Sequence, residues 1–417
     1  MPTNRSDSPS GPPHGPRKRR PRYPGKYPKR FEHRYKELAP ETHPEIHAHV
    51  REQGRTPAGT HVPVLVAEVM DALRPAPGET VVDCTVGYGG HALELLKRIG
   101  PTGRLLGFDV DAENLERTRK RLEAAATEMG VAKKGAAPIS GSSELGAVPF
   151  SGPGATAEKG TVPFSQKREK GTAPFSAAPL SAGPPRVILR RGNFAGIDRA
   201  LAAEQIGAAD VILADLGVSS MQVDDPARGF SYKFDGPLDM RMDSRIPRTA
   251  ADLLRDLPAE KLAAALAELA DEPKAVIISR RIAEERQRRP ITQTQDLVRL
   301  VFDAKGLSMR HWRKQVAAGA LHPAALTFQA LRILVNDELG ALRQLLRVAP
   351  ACLAPGGRIG IMSFHSGEDR LVKLAFRDGV RAGVFAAISD EPIRPTAQEV
   401  HDNPRSASAK FRWAAKV

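Results

Sequence analysis

The sequence of 417 residues is 26% charged and 41% hydrophobic with a net charge of +14, a composition typical of a globular protein that buries a sizeable core. Its two cysteines, Cys84 and Cys352, are too few for a disulfide framework or a multi-cysteine metal site, and we expect no bound metal. No apolar run approaches the roughly 18 residues of a membrane span and no signal peptide is evident, so we expect a cytoplasmic protein without membrane contacts.

Residues 1–57 form a basic, Pro-rich tail that we expect to be disordered. Residues 1–36 alone carry 11 Lys and Arg against two acidic residues. This charge fits a polyanionic partner, and the tyrosines in RKRRPRYPGKYPKR (residues 17–30) are available for stacking on RNA bases. A solubilising tail without a binding function would have the same composition, so the sequence leaves both interpretations open.

The first ordered elements alternate between strands and helices. After a short helix, the apolar pattern predicts strand 80–84, a glycine turn, helix 91–99, strand 104–108 and helix 112–126. The second of these strands ends at Asp109. A strand, glycine turn, helix, strand and acid in this order are typical of the start of a doubly wound, Rossmann-like α/β sheet.

Residues 130–185 interrupt this pattern with a Gly-, Ala-, Pro- and Ser-rich segment. It contains three near copies of one hexapeptide, GAVPFS at 146–151, GTVPFS at 160–165 and GTAPFS at 171–176. The copies are too short and too unevenly spaced for a solenoid, and a long surface insertion costs little loop-closure entropy. We therefore expect a disordered insertion within the first segment of the α/β domain, residues 58–222.

The next elements lead to the stretch DVILADLGVSSMQVDDPARGFSYKFDGPLDMRMD at residues 210–243. A strand at 187–189 and a helix at 197–205 precede it, and its own first residues form a short buried strand. Asp215 follows that strand at once, and a Gly- and Ser-rich turn comes next. Ligands bind beyond the carboxyl ends of the strands in an open α/β sheet. We interpret the stretch as the wall of an active site.

We expect the helices that follow to form an inserted substrate-recognition domain at residues 223–320. The predicted helices are 250–256, 259–270, 274–288 and 294–302. Leu262, Leu266 and Leu269 recur at helical spacing, so we expect them in the core of this domain.

Residues 321–417 are predicted to form the second part of the α/β domain. One long helix is expected from Pro323 to Leu353, because Pro355-Gly356-Gly357 then acts as a stop signal. A strand at 358–364 follows, and residues 405–417 are predicted to contain the last strand.

The residues at the strand ends point to an adenosine-type cofactor. Gly87, Gly89 and Gly90 directly precede a helix, where a glycine backbone can approach a ligand closely. Asp109 and Asp215 lie at strand ends, and a carboxylate at the former position can accept both ribose hydroxyls. The glycine spacing is not that of an NAD site. S-Adenosyl-L-methionine, which has ribose hydroxyls and no phosphates, is therefore the expected cofactor.

Six segments carry a resemblance to a known family. They read HVPVLVAEV, VVDCTVGYGGH, ILADLGVSSMQVDDPARGFSYKFDGPLDMRMD, HPAALTFQALRILVNDEL, APGGRIGIMSFHSGEDRLVK and NPRSASAKFR. Residues 60–417, apart from the repeat insertion, resemble the RsmH (MraW) family of S-adenosylmethionine-dependent ribosomal RNA methyltransferases. The resemblance implies a class I methyltransferase fold with an inserted helical domain. It also implies N4-methylation of a cytidine in the decoding centre of the small ribosomal subunit, with small-subunit (16S) ribosomal RNA as the partner.

The resemblance implies seven cofactor contacts: Gly89, Gly90, His91, Asp109, Phe194, Asp215 and Gln222. His91, at a helix start, would equally be a capping or packing residue. The chain departs from the family pattern where Ala325-Leu326 replaces Thr-Arg and where ADEPKAV (residues 270–276) replaces a Gly-Glu-Glu motif. Ala407 replaces a second arginine, so we expect weaker RNA contacts and an unchanged reaction.

The proton that leaves the amine needs an acceptor beside the methyl donor. The N4 lone pair of cytosine is delocalised into the ring, and an oxygen that holds an N4 hydrogen helps to localise it. We expect Asp215 in this catalytic role, with Ser219, Ser220 and Asp239 as further candidates. Asp239 could instead pair with Arg241 to fix the loop.

The RNA contacts and the assembly state are less defined by the sequence. The cytidine must leave its stack to reach the pocket, and we expect it to lie against Phe230 or Tyr232. For His365 we expect a structural hydrogen bond rather than a role as a base. A homodimer is left open. Two alternative functions are another exocyclic-amine methyltransferase, on DNA or a small molecule, and a non-catalytic RNA-binding protein of ribosome assembly.

Overall fold

The computed structural model describes residues 63–128, 186–316 and 321–417. The predicted disordered tail of residues 1–57 and the predicted repeat insertion of residues 130–185 lie outside these ranges, and both stay predictions. Within the three ranges, no helix combines the length and the apolar character needed to cross a membrane.

Seven strands form one sheet, and their order confirms the predicted doubly wound α/β fold. They are β1 (Thr80–Asp83), β2 (Arg104–Asp109), β3 (Arg186–Arg191), β4 (Ala209–Asp215), β5 (Leu353–Ser363), β6 (Phe385–Ile388) and β7 (Lys410–Lys416). The spatial order is β3-β2-β1-β4-β5-β7-β6. The first five strands are parallel, and β7 pairs antiparallel with both β5 and β6. The direction of winding reverses between β1 and β4, which is where such a sheet forms its ligand crevice.

Fourteen α-helices accompany the sheet in the described ranges. They are α1 (Val66–Leu73), α2 (Gly90–Ile99), α3 (Ala112–Glu128), α4 (Ile197–Ala203), α5 (Ser220–Asp224), α6 (Ala250–Asp256), α7 (Ala259–Ala270), α8 (Ala275–Glu285), α9 (Thr294–Ala304), α10 (Met309–Val316), α11 (Ala325–Asn336), α12 (Glu338–Cys352), α13 (Ser366–Arg381) and α14 (Ala397–Asp402). The predicted helices before residue 305 are present, with ends that differ by a few residues.

Both faces of the sheet are buried, because successive strand residues point to opposite faces. On β4, Ile212 and Ala214 pack against α4, α12 and α13. Val211 and Leu213 pack on the other face with residues of α1 and α2. All four side chains are fully buried. The strand therefore reads as a continuous apolar run rather than as an alternating one.

A separate core lies among the helices that follow β4. Leu262 and Leu266 of α7 are buried there, as the helical spacing predicts, and Leu269 packs against this core while partly exposed. Helices α6, α8 and α9 contribute to the same core, and so does Phe328 of α11. We call α6–α9 together with α11 the helical cluster. The predicted inserted domain ends at residue 320, whereas the helical cluster also includes α11, which lies beyond that residue.

The single long helix predicted from Pro323 to Leu353 is wrong, because the chain breaks at Asp337 into α11 and α12. Asp337 has a left-handed conformation (φ 48°), and its N–H donates to the carbonyl of Ile333 and closes α11. A side chain on Gly340 would lie 2.3 Å from the Asp337 carboxylate, so glycine leaves the space that this carboxylate fills. The break allows α11 to pack in the helical cluster while α12 packs on the sheet.

Strand β5 begins five residues earlier than predicted. Leu353 pairs with Ala209, and pairing resumes where Arg358 meets Val211, so residues 354–357 bulge out of the strand. The Pro-Gly-Gly sequence therefore accommodates a bulge rather than a helix end. Helices α5, α10, α13 and α14 and strand β6 were also not predicted from the sequence.

Candidate active site

A cavity of about 300 Å³ opens at the carboxyl ends of the parallel strands. Asp109 ends β2, Asp215 ends β4 and Phe364 follows β5, and all three line the cavity. Since the strands lie in the order β2-β1-β4-β5, Asp215 lies between the other two residues. The cavity therefore has two halves that meet at Asp215.

Each half has its own set of lining residues. The β2 half is lined by Gly87, Asp109, Val110, Asn114, Asn193 and Phe194. The β5 half is lined by Arg332, Asn336, Glu338, Phe364 and Glu368. The structure thus brings together the predicted site residues Asp109, Phe194, Asp215, Ser219 and Gln222, all of which line one cavity.

Asp109 is held in place by its neighbours at the start of α3. Its Oδ1 accepts the N–H of Asp111 at 2.8 Å, and its Oδ2 accepts the side-chain amide of Asn114 at 3.2 Å. Burial raises the pKa of Asp109 to about 6, although the hydrogen bond from Asp111 opposes this change. The carboxylate is therefore fixed in orientation and keeps further lone pairs for a ligand.

Ser219 and Gln222 form the capping box of the short helix α5. The Ser219 hydroxyl accepts the N–H of Gln222, and the Gln222 side chain accepts the N–H of Ser219 at 3.1 Å. The Gln222 amide also donates to Asp111 at 3.4 Å, and Arg228 donates to the same carboxylate at 2.9 Å. These contacts fix the turn after β4 against the end of β2, so Ser219 has a local structural role as well as a place in the cavity wall.

Asp215 has a carboxylate oxygen without a partner. Its Oδ1 is buried and makes no hydrogen bond, while its Oδ2 lies 3.5 Å from Nδ1 of His91. Its backbone N–H donates to the hydroxyl of Thr85 at 2.6 Å, which fixes the end of β4 against β1. Burial raises the pKa of Asp215 to about 7, and the negative charge of Glu368 adds to this effect. A buried acceptor in this state is costly, so Oδ1 is suited to a hydrogen-bond donor brought by a ligand.

Gly89, Gly90 and His91 lie behind the cavity wall and are not among its lining residues. A Cβ on Gly89 would lie 2.9 Å from Thr118, and a Cβ on Gly90 would lie 2.9 Å from Pro63, so packing requires both glycines. Nε2 of His91 lies 2.9 Å from the Val64 carbonyl. Burial lowers the pKa of His91, so the ring is neutral and presents Nδ1 to Asp215 as an acceptor. These three residues position the turn and the carboxylate.

The structure does not place Asp239 in the cavity wall. Both of its carboxylate oxygens accept from Arg241 at 2.8 Å. These hydrogen bonds hold the pKa of Asp239 below its ordinary value, although partial burial opposes them. The pairing of Asp239 with Arg241 fixes the loop, and this was the alternative to a catalytic role.

The two aromatic residues predicted to hold the base are already packed. Phe230 is 8% exposed within the helical cluster. Tyr232 stacks on His322 at 4.2 Å between ring centroids and meets Phe328 edge-on at 5.8 Å. Neither residue lines the cavity. These aromatic side chains form part of the core between the loop and α11.

The polar residues of the β5 half were not predicted from the sequence. Arg332 donates to both carboxylate oxygens of Glu338, at 2.8 and 3.0 Å. Asn336 accepts the N–H of Met242 and donates to the carbonyl of Met240, both at 2.7 Å. Arg332 and Asn336 are four residues apart in α11, so they share one face of the helix. That spacing is the signal that would have identified them.

His365 has the predicted structural role. It is the N-cap of α13, and its side chain accepts the N–H of Glu368. The Glu368 carboxylate in turn accepts the N–H of Phe364 at 2.8 Å. The side chain of Glu368 is 3% exposed, and these contacts hold it at the wall of the β5 half.

This sheet, with its winding reversal, its acid at the end of β2 and its cavity at the switch point, defines a class I methyltransferase with a Rossmann-like sheet. The sequence profile of the MraW methylase family matches residues 58–142 and 168–417. The chain belongs to this family, which confirms the resemblance. It is a methyltransferase, and its methyl donor is S-adenosyl-L-methionine.

Several curated proteins are similar to this chain over most of their length. "Ribosomal RNA small subunit methyltransferase H 2" of Alkaliphilus metalliredigens is 38% identical over 369 residues, which cover 88% of each chain. "Ribosomal RNA small subunit methyltransferase H 1" of Lachnoclostridium phytofermentans is 37% identical and covers 88% of this chain and 84% of its own. "Ribosomal RNA small subunit methyltransferase H" of Symbiobacterium thermophilum is 37% identical, with coverages of 86% and 96%.

Proposed function

We propose that this methyltransferase methylates N4 of a cytidine in the decoding centre of small-subunit (16S) ribosomal RNA. The names of its relatives support the RNA class, since they are small-subunit ribosomal RNA methyltransferases. The observation that carries the proposal is the unpartnered Oδ1 of Asp215, a buried acceptor at the middle of the cavity. An exocyclic amine supplies the donor that this oxygen lacks.

The β2 half fits the cofactor. Asp109 is the carboxylate at the end of β2 that would accept the ribose hydroxyls, and Phe194 would lie beside the adenine. Gly87, at φ 49°, brings the backbone to the cavity wall, and Gln222 closes the same side. When bound, S-adenosyl-L-methionine supplies a methyl group on a positively charged sulfur. Asp215, at the boundary of the two halves, would face that charge, while Gly89, Gly90 and His91 position the turn.

The reaction requires an acceptor for one N4 proton. Transfer of the methyl group from the sulfur of the donor to N4 would leave the amine with one proton too many, and Asp215 Oδ1 would receive it. Ser219 is the second candidate for this proton because its hydroxyl also lines the cavity. Most of the rate enhancement comes from holding the amine in line with the methyl group, which the fixed carboxylate and the closed wall favour.

The helical cluster and the loop before it are the proposed substrate-recognition domain. Arg280 and Arg288 are exposed on and after α8, whereas Arg286 donates to the carbonyls at the end of α6. The two exposed arginines are available for RNA phosphates. A cytoplasmic location and a homodimer are further expectations that accompany this proposal.

Transfer of a radiolabelled methyl group into immature small ribosomal subunits tests the function. We expect label in the ribosomal RNA, on a single cytidine that mass spectrometry of nuclease fragments identifies as N4-methylated. Label in DNA or in a small molecule instead would favour another amine methyltransferase. Tight RNA binding without any incorporation would favour a non-catalytic assembly protein.

Asp109→Ala is expected to weaken S-adenosyl-L-methionine binding by about 1.5–3 kcal/mol, the contribution of charge-assisted hydrogen bonds. Isothermal titration calorimetry measures this as a rise in Kd of roughly 10- to 150-fold. Asp378→Ala is the matched control, since Asp378 is exposed on α13 away from the cavity. An unchanged Kd for the folded Asp109→Ala protein would remove Asp109 from the cofactor site.

A further inference from the structure

The β5 half contains the guanidinium group of Arg332, whose orientation is fixed. Nε and Nη2 of Arg332 donate to Glu338, and the Arg332 side chain is 18% exposed. These bonds leave Nη1 without a hydrogen bond to any residue of the described ranges. A bidentate pair holds the guanidinium plane rigidly, so the direction of Nη1 is set before a ligand arrives.

Arg332 and Asp215 line the same cavity. Asp215 pairs in register with Met362 of β5, and Phe364 follows two residues later. The turn after β4 packs against Phe364, because a Cβ on Gly217 would lie 3.7 Å from that ring. Asp215, Arg332 and Phe364 all line the one cavity. The free acceptor of Asp215, at the boundary of the two halves, and Arg332, in the β5 half, therefore border the same cavity.

An acceptor beside a donor is the complement of one particular base edge. Cytosine presents an amine hydrogen at N4 next to a lone pair at N3. Uracil presents the opposite pattern at these positions, a carbonyl oxygen next to an N–H. We propose that Asp215 and Arg332 read the base edge together: Oδ1 of Asp215 accepts from N4, and Nη1 of Arg332 donates to N3. This inference rests on the proposed function and assigns the base-specificity determinant of the same site.

The surrounding residues support this role for Arg332. Glu338 prevents the guanidinium from turning, and Glu368 contributes a second negative charge on the same side. Asn336, one turn along α11, ties the Met240–Met242 segment to this wall. With a uridine in the pocket, the Asp215 acceptor would face the carbonyl oxygen of uracil, and the Arg332 donor would face its N–H. Both pairs would lack a hydrogen bond, and unpaired buried polar groups are strongly disfavoured. The pair therefore selects a base with an amine next to a ring acceptor.

A cycle of enzyme and substrate changes tests the contact between Arg332 and N3. The substrates are small subunits reconstituted with ribosomal RNA that carries cytidine or 3-deazacytidine at the target position. 3-Deazacytidine keeps the amine and replaces N3 with a C–H group. The enzymes are the wild-type full chain and Arg332→Met/Glu338→Gln, which removes the donor without leaving a buried carboxylate unpaired. The measured quantity is kcat/KM.

We expect Arg332→Met/Glu338→Gln to lower kcat/KM on cytidine by about 10- to 100-fold, as the loss of one charge-assisted hydrogen bond predicts. The ratio of the two substrates should shift toward 3-deazacytidine by the same factor, because the intrinsic reactivity of the analogue cancels in the cycle. Arg347→Met, which removes an exposed arginine of α12, should leave the ratio as in the wild type.

A ratio that is the same in the double variant and the wild type would overturn the inference. Calorimetry with S-adenosyl-L-methionine shows that the double variant is folded, since the cofactor half does not include Arg332. If the double variant does not fold, Arg332→Lys replaces it, because lysine keeps the buried charge but lacks the fixed Nη1. The ratio of kcat/KM on the two substrates is then compared between Arg332→Lys and the wild type. Failure of the proposed function has a different signature, which is no methylation of cytidine by the wild-type protein.

Discussion

Replacing Asp215 with asparagine is expected to lower kcat for methyl transfer by about 10²- to 10⁴-fold, the range for removal of a general base. Asparagine keeps the size and the carbonyl oxygen of the side chain but cannot take up a proton at neutral pH. Binding of the methyl donor should change much less, because the contacts of the β2 half are retained. Single-turnover methylation with saturating donor measures the chemical step separately from product release.

The same substitution is expected to stabilise the fold. Burial raises the pKa of Asp215 from 3.8 to about 7, so the folded chain binds a proton that the unfolded chain has lost. The wild-type free energy of unfolding therefore falls as the pH rises from about 4 to 7, and it stays reduced above pH 7. Such a rise in pKa corresponds to at most about 4 kcal/mol. We expect Asp215→Asn to gain about 1–3 kcal/mol at pH 8 and little at pH 4, as measured by urea denaturation.

The pKa of Asp215 also predicts the pH dependence of the wild-type reaction. An acceptor must be ionised, so kcat/KM should fall about tenfold per pH unit below pH 7 and reach a plateau above it. Asp215→Asn should lose this dependence. The positively charged sulfur of bound S-adenosyl-L-methionine would favour the ionised form of the Asp215 carboxylate. The pH below which kcat declines, measured with saturating donor, should therefore be lower than the pH below which kcat/KM for the donor declines.

Asp210→Asn is the matched control for the loss of activity. Asp210 lies on the same strand as Asp215, and it accepts the N–H of Thr80, which an asparagine oxygen can also accept. We expect activity within a factor of about two of the wild type. If Asp215→Asn keeps more than a tenth of the wild-type rate with an unchanged pH profile, the proton leaves by another route and Ser219 becomes the acceptor to test.

The β2 half was predictable because its residues follow directly from the strands that position them. Parallel strands end at one edge of a sheet, so Asp109 and Asp215 had to lie on the same side once both strands were recognised. The apolar runs that identify these strands are continuous, as is usual for strands buried on both faces. Local sequence was therefore sufficient to predict both the fold of this region and the positions of Asp109 and Asp215.

The β5 half was less predictable because it depends on contacts between distant parts of the chain. Arg332 pairs with Glu338 across the break at Asp337, where a left-handed residue ends α11 and redirects the chain. The sequence favours an unbroken helix there, since a single aspartate is a weak helix stop. The sequence left two roles open for Asp239, catalysis or pairing with Arg241, and the structure shows Arg241 donating to both of its carboxylate oxygens.

Lys305→Met is expected to destabilise the helical cluster by about 3–5 kcal/mol, because it leaves a buried carboxylate uncompensated. The Glu272 side chain is fully buried and accepts from Lys305 Nζ at 2.9 Å. The same ammonium donates to the carbonyl of Pro323, so it ties α9 to the start of α11. Without it, Glu272 retains the Lys274 N–H at 3.2 Å and the Thr327 hydroxyl at 3.4 Å. Two neutral donors do not replace a cation.

Neutralising the carboxylate should reverse most of this loss, because Glu272→Gln can still use the two neutral donors. We therefore expect Lys305→Met/Glu272→Gln to recover at least about 2 kcal/mol relative to Lys305→Met alone. The two tryptophans report on different cores, since Trp312 packs against the helical cluster and Trp413 against the sheet. In a Trp413→Phe background, urea denaturation followed by fluorescence reports the helical cluster.

Lys97→Met is the matched control, because Lys97 pairs with Glu94 on the exposed face of α2 and should contribute little to stability. Equal destabilisation by Lys305→Met and by the double variant would show that the charge on Glu272 is not the cause. The lysine would then act through its bond to Pro323, and the cost would lie in the junction with α11. The distinction matters for the site, because α11 carries Arg332 and any loosening of that helix should also relax the base contact.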